Sequence, residues 1–328
     1  MKILYAVQAT GNGHISRAME IMPHLQKYGE VDVFLSGANS NLPMNNVKYR
    51  SKGLSLFYSG SGGLSYSKIA ASLSPLRVCK EVRQLPVEKY DLVLNDFESI
   101  TALACAYKKI KSVHFGHQAS FISKNTPRPE SKNIIGEFLL KNFARATKYV
   151  GLHFDCYDDF ILPPVIKKEI WDAEPRNEKH ITVYLLSYSD ETLCKLFTPL
   201  ADQRFEIFSK EVKVKTRVGN ILFIPADKSA FNTSLINCAG IITGAGFETP
   251  AEALYLRKKI MVIPVKGQYE QLCNAAALKN YGVVVVDDPE NCFGSVFTNW
   301  MNNNTQQPVH FQKDTRMIID DMMKIAAN

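Results

Sequence analysis

The chain has 328 residues, 46% hydrophobic and 22% charged, which is long for one domain and natural for two of about 160 residues each. No run of ~18 apolar residues occurs, which excludes an α-helical membrane span, and Met1–Val7 is too short for the apolar core of a signal peptide. The net charge of +7 is one-sided: residues 1–163 hold 20 Lys and Arg against 13 Asp and Glu, whereas residues 164–328 hold 19 of each, so an anionic partner is expected at the first half.

The basic residues are scattered and lack interleaved aromatics, which argues against nucleic acid. Seven cysteines, Cys79, Cys105, Cys156, Cys194, Cys238, Cys273 and Cys292, form no CxxC pair. An odd number without such pairs fits reduced thiols and a cytoplasmic location.

Apolar strand-like runs alternate with helix-like segments from the start, as a parallel α/β sheet requires. Ile3–Val7 reads as a buried strand. Ile15–Tyr28 reads as a helix with Ile15, Met19, Met22 and Leu25 near one face. Val31–Leu35 and Tyr90–Leu94 are strands, Ser99–Lys109 a helix, Lys111–Phe115 a strand, Gly136–Lys148 a helix and Tyr149–Phe154 a strand. The adjacent Pro163 and Pro164 interrupt the pattern. A domain boundary is therefore expected between residues 163 and 164. Beyond it Ile181–Leu186, Phe205–Ser209, Ile221–Ile224, Gly240–Thr243, Lys259–Pro264 and Gly282–Val286 read as strands. Pro250–Leu256 and Tyr269–Lys279 read as helices, and residues 314–328 as a final amphipathic helix expected to pack back on the first domain. The architecture expected is two doubly wound, Rossmann-like α/β domains facing across a cleft, 1–163 and 164–313, with ligands beyond the carboxyl ends of the strands.

Two strand-to-helix junctions carry glycine-rich loops. The first is Gly11, Asn12, Gly13, His14, ending at Arg17. Glycines let backbone approach a ligand closely, and a helix N-terminus offers free N–H groups to a phosphate. Ser16 stands where a dinucleotide fingerprint needs its third glycine, and Ser36-Gly37 where it needs a ribose-binding acid, so a nicotinamide enzyme is disfavoured. The second junction runs Thr243, Gly244, Ala245, Gly246, Phe247, Glu248, Thr249, Pro250, Ala251, Glu252. Thr249 is a suitable N-cap and Pro250 a suitable first helical residue, which puts Glu252 in the first turn, able to hold ribose hydroxyls. Glu270, Gln271 and Asn274 open the next helix with groups suited to a hexose.

The paired patterns GNGHISR and TGAGFETPAEAL…IPVKGQYEQLCNA resemble those of GT-B glycosyltransferases, in particular the bacterial N-acetylglucosaminyltransferase acting on a lipid-linked muramyl-pentapeptide and the UDP-glucuronosyltransferases. The resemblance spans both halves in order. It implies a donor nucleotide-sugar, UDP-linked, held by the second half and an acceptor held by the first. Gly13 and His14 match the first glycine loop and the histidine near the acceptor. Gly246 matches the glycine on the donor diphosphate and Glu252 the glutamate on the ribose. Gln271, with Glu270 beside it, matches the residues reading sugar hydroxyls, and Asn274 the following asparagine. The loop around Phe223–Pro225 stands where the family reads the base. Thr243 replaces a histidine of the glucuronosyltransferase type and Glu270-Gln271 an Asp-Gln pair.

The activity implied is attack of an acceptor hydroxyl on the sugar, without a metal or cofactor; no DxD motif and no His/Cys cluster of ligand spacing is present. His14 is the leading general base, with Asp96 to orient it or replace it, and His117 the second contender. A nucleotide-sugar 2-epimerase on the same fold and a non-catalytic nucleotide-sugar-binding partner of a membrane complex are the alternatives. The lipid-linked relatives, the basic first half and the segment Phe138–Lys148 imply an anionic or lipid-linked cell-envelope acceptor, met at the inner face of the membrane. A Gly/Ser-rich stretch, Tyr58–Ser67, with Ile69 and Leu73 after it, reads as a mobile loop leading into an apolar helix.

Overall fold

In the computed structural model, which describes residues 1–9, 12–37, 47–53, 74–303 and 306–327, the apolar runs become two parallel sheets. Gly11, the Tyr58–Ser67 stretch, Ile69 and Leu73 lie outside the described residues. The first sheet comprises β1 (Lys2–Gln8), β2 (Glu30–Ser36), β3 (Val47–Ser51), β4 (Leu92–Asp96), β5 (Val113–Gly116), β6 (Lys148–Leu152) and β7 (Ile161–Leu162). Their order is β3-β2-β1-β4-β5-β6-β7, every pair parallel. β1 is buried from its second residue onward, as a strand covered on both faces must be. Two boundaries moved with consequence. The Tyr90 strand runs two residues later than expected, so Asp96 is its last residue. The helix expected over 136–148 runs Ile134–Asn142, capped by Asn133, whose Oδ1 accepts the Gly136 N–H. Lys148 already belongs to a strand.

The second sheet comprises β8 (His180–Tyr184), β9 (Arg204–Ser209), β10 (Thr216–Val218), β11 (Ile221–Pro225), β12 (Gly240–Thr243), β13 (Lys259–Val262) and β14 (Val284–Val285). Its order is β10-β11-β9-β8-β12-β13-β14; only the edge strand β10 is antiparallel to its neighbour. Each sheet reverses strand order once, between β1 and β4 in the first and between β8 and β12 in the second. Crevices open at such reversals, beyond the carboxyl ends of the strands.

Ile161–Leu162, immediately before the two prolines, still pairs with β6. The helix Thr315–Ala327 packs on the helix Asn12–Leu25; Tyr28 donates to Asp320, and Lys148 donates to the carbonyl of Ala326 at 2.8 Å. Further contacts tie the lobes at the cleft: Phe154 meets Phe247 at 5.1 Å between ring centres, and Tyr269 closes over Gly136 while donating to Glu137 at 2.9 Å. A side chain at 136 would strike the Tyr269 ring at 2.5 Å, so glycine there is a condition of lobe packing.

Candidate active site between the lobes

His14 lies in the first turn of the Asn12–Leu25 helix, just past the end of β1. Its Nδ1 is 2.8 Å from Oδ1 of Asp96, at the end of the adjacent strand β4. The backbone turns sharply behind that carboxylate: Phe97 has φ 56°, the left-handed region that bulky residues avoid. The turn is braced by Asn95, which bonds Glu98, and by Glu98, which accepts the N–H groups of Ile100 and Thr101 at the next helix start. The Phe97 ring lies parallel to His14, 6.4 Å between centres. The fold thus fixes both partners.

Asp96 is wholly buried and the His14 side chain 14% exposed. Burial alone would push the Asp96 carboxyl up. The Arg17 guanidinium and then His14 outweigh it and hold the carboxyl well below the usual carboxylate range. Arg17 donates through Nε at 3.2 Å to Oδ2 and through one terminal nitrogen at 2.6 Å to Oδ1. That same nitrogen sits 3.0 Å from His14 Nδ1. With the ionised Asp96 carboxylate an acceptor only, the shorter 2.8 Å contact is an Nδ1–H donated to Asp96, which leaves Nε2 as the lone-pair nitrogen. Arg17's remaining nitrogen donates to Glu248 in the other lobe. No role was expected for Arg17 or Glu248. The signal was the i, i+3 spacing of His14 and Arg17, which puts both on one helix face.

On the second lobe, a cavity of about 190 Å³ lies between the ends of β8 and β12, walled by Thr243, Gly244, Gly246, Thr249 and Gln271. A second, about 360 Å³, shares Tyr184, Leu186 and Thr249 with it and reaches the first lobe at Asn12, Gly13 and Ser16. Lys167, Lys210 and Lys228 line it together with Glu248. Gln271 is held at the wall by accepting the Val265 N–H and donating to Gln268. Gly246 is informative. Its φ is not in the left-handed region, and a Cβ there would meet nothing within 4 Å. Neither turn geometry nor packing demands glycine, which leaves open space for a ligand. A larger cavity, about 520 Å³, opens at the far edge of the first sheet between Gln26, Asp32 and Lys48; none of the expected site residues lines it.

Several expected site residues stand elsewhere. The helix after the second glycine loop begins at Glu248, with Phe247 at the cap, so Thr249 is not the N-cap and Glu252 is beyond the first turn. The Glu252 carboxylate, 2% exposed, is held by Lys167 at 2.9 and 3.1 Å, and Lys167 rather than Glu252 faces the cavity. Burial holds the Glu252 carboxyl above its ordinary range although Lys167 pulls it back; against the same burial, Glu252 holds the Lys167 ammonium above its usual range. Phe223 is 3% exposed in the second lobe's apolar core; the residues after its strand, Ala226, Asp227 and Lys228, reach the cavity instead. Ala245 is fully buried. Asn274, also fully buried, donates to the Ala245 carbonyl at 3.0 Å and lies 2.8 Å from His117 Nε2. It braces the glycine loop and lines neither of these two cavities.

His117 is enclosed within the protein. It is 1% exposed, donates Nδ1–H to the Leu152 carbonyl at 3.0 Å, has Nε2 against Asn274, and stacks on Phe247 at 4.0 Å. Burial lowers its pKa, the nearby Glu270 notwithstanding. Both nitrogens are engaged inside the protein, so the ring joins the lobes. Glu270 accepts from Gln118 across the same seam at 3.1 Å. Among the described residues no group of three or more His, Cys, Asp or Glu could hold a metal ion.

Solved structures with this architecture include glycosyltransferases. SnogD from Streptomyces nogalater is 13% identical, with TM-score 0.57 and 99% of each chain covered. The spinosyn forosaminyltransferase SpnP is 12% identical, with TM-score 0.60 and 100% of each chain covered. Arabidopsis thaliana UGT89C1, complexed with UDP-L-rhamnose, is 13% identical, with TM-score 0.58, 99% of this chain and 94% of that one covered. At such identities the likeness is one of fold. No curated protein matches the sequence. The profile of glycosyl transferase family 1 matches residues 1–293. With that match spanning most of both lobes, the chain belongs to glycosyl transferase family 1 and is a glycosyltransferase of the GT-B type.

Proposed function

We propose that the enzyme moves a sugar from a nucleotide-sugar, a UDP-sugar in the first instance, to an acceptor hydroxyl, with His14 as general base. The observation that carries this reading is the His14–Asp96 pair at one sheet's reversal, next to Asn12 and Gly13, which line one cavity together with Thr249 of the other lobe. His14 Nε2 takes the acceptor proton and the oxygen attacks the anomeric carbon. The bond from that carbon to the diphosphate breaks, and the nucleotide leaves with the electron pair. Asp96 stabilises the imidazolium so formed. Backbone N–H groups at the starts of the Asn12 and Glu248 helices, with Lys167, Lys210 and Lys228, are suited to the leaving diphosphate. Neighbouring structures were solved with UDP-L-rhamnose and with dTDP, which supports this donor class. The family match favours transfer over the 2-epimerase and non-catalytic readings. A panel of UDP-, GDP- and dTDP-sugars tested by thermal shift identifies the donor, since a ligand at 100 times its dissociation constant stabilises by about 2.7 kcal/mol. If none shifts the melting temperature, the reading fails.

The open space at Gly246 gives a sharper check. Gly246→Val should keep the melting temperature within a few degrees, because nothing lies within 4 Å of the new Cβ. It should raise the donor's dissociation constant by at least about tenfold, a loss of ~1.4 kcal/mol. Unchanged donor affinity would move the donor away from this loop.

For the acceptor, we propose presentation at an anionic membrane surface. Ile134, Ile135 and Phe138 on the Ile134–Asn142 helix are 85%, 53% and 62% exposed. Residues 124–148 around them hold six Lys and Arg against two Glu. Among the described residues no helix is long and apolar enough to cross a membrane, so contact here is by surface docking. Each cation near an anionic leaflet contributes ~1 kcal/mol. Sedimentation with phosphatidylglycerol-containing vesicles should show binding at low salt that weakens at high salt and is lost in Phe138→Glu. No binding at low salt, or binding indifferent to salt, removes this part of the reading.

A further inference from the structure

Arg17 is 4% exposed and binds carboxylates from both lobes. Its consequence for His14 follows from counting charges in a nearly dry cluster. Asp96 carries one negative charge, and its Oδ1 is shared between His14 and Arg17 at 2.8 and 2.6 Å. An imidazolium facing that carboxylate alone would be well stabilised. With Arg17 added, the pair it faces is neutral, and a guanidinium nitrogen stands 3.0 Å from Nδ1. Glu248, its side chain 17% exposed, returns one negative charge to the group. The other polar groups nearby do not alter the count. The Tyr5 hydroxyl on β1 is kept protonated by burial and then by Asp96. His114 on β5 is kept neutral by burial, its pKa lowered to about 4.

We propose that Arg17 and Glu248 form a cross-lobe clasp that positions and charges the base: Glu248, from the donor lobe, offsets the Arg17 charge beside Asp96, so His14 is a competent base only while the lobes are apposed. The inference rests on the reading of His14 as the base. Glu248 and Arg17 are positioning residues here and act through Asp96. Glu248 starts the helix whose Thr249 walls both donor cavities, so donor seating and base strength share one short segment. Burial holds the Glu248 carboxyl above its ordinary range although Arg17 pulls it down; Arg17 donates to it directly, and Glu248→Gln removes its charge without changing size.

The test is the kinetics of Glu248→Gln, Glu248→Asp, His14→Ala and the double variant His14→Ala/Glu248→Gln, each with its melting temperature and pH–rate profile. Losing the negative charge leaves more net positive charge around the imidazole. The acid limb of kcat/KM for Glu248→Gln should therefore move to lower pH. Its kcat at neutral pH should fall at least about tenfold, with the donor KM within about threefold, since the loss is confined to the reacting state. Glu248→Asp, which keeps the charge, should recover part of the rate. In the His14→Ala background, Glu248→Gln should add no further loss. The clasp is overturned if Glu248→Gln changes only the melting temperature, or if it raises donor KM with kcat and profile unchanged, which would make Glu248 a donor-binding residue. If His14→Ala keeps wild-type turnover, the base reading itself has failed, and the clasp falls with it.

Discussion

Replacing His14 with alanine is expected to lower turnover by a factor of ~10²–10⁴, the usual worth of a positioned general base, while donor affinity stays within a few-fold. The asymmetry follows from placement. His14 belongs to the first lobe and pairs with Asp96, whereas the cavity wall of Gly244, Gly246, Thr249 and Gln271 belongs to the second. The polar contacts of the imidazole are with Asp96 and Arg17, and Arg17 continues to hold that carboxylate through two nitrogens. Stability should therefore change little, and a loss of rate can be read as chemistry. Single-turnover rates with saturating donor, beside calorimetric donor affinity, make the comparison. Turnover within a few-fold of wild type would show His14 to be structural. His117 could not then inherit the role, because both of its nitrogens are engaged within the protein.

Much of this arrangement was legible in the sequence because its signals are local. A strand, a glycine turn and a helix start occupy consecutive residues, so the loops at Gly13 and Gly246 and the chain order of the two sheets follow from one reading. The strand Gly240–Thr243 and the helix Tyr269–Lys279 lie where their patterns put them. What escaped were pairings across long separations. Glu252 and Asn274 look like ligands for hydroxyls until Lys167 and His117, 85 and 157 positions distant, claim them. A polar residue at the carboxyl edge of a sheet can serve a ligand or the opposite lobe, and only the packing of the lobes decides which. Phe223 was misplaced for another reason. Its strand reads as an unbroken apolar run, Ile221, Leu222, Phe223, Ile224, which does not show which side chains turn inward. Arg17 was in plain view beside His14, but its meaning needs Glu248, 231 positions away.

Asp96→Asn should be the most damaging exchange at the site, in both rate and stability. Asparagine keeps the shape and loses the charge. Its amide group can place an N–H donor against His14 Nδ1, which then has to accept and moves the ring proton to Nε2, the nitrogen needed to take the acceptor's proton. The same exchange in a Ser–His–Asp triad costs about 10⁴ in turnover for this reason, and a loss of at least ~10² is expected here. Arg17, 4% exposed, would be left with Glu248 as its one carboxylate, and breaking one side of a buried ion pair typically costs ~3–5 kcal/mol. The pH dependence identifies the cause. The folded-state pKa of Asp96 is depressed by Arg17 and His14 against the opposing effect of burial. Its contribution to stability is thus fully present above the unfolded carboxylate value, about 3.9, and is lost as pH falls from there through the folded value. The difference in unfolding free energy between wild type and Asp96→Asn should then not shrink between neutral pH and about pH 5, and should shrink only in stronger acid. Urea unfolding across that range measures it. A gap already closing between pH 7 and pH 5 would mean that Asp96 is not the ionised centre of this cluster, and the assignment of His14's proton to Nδ1 would go with it.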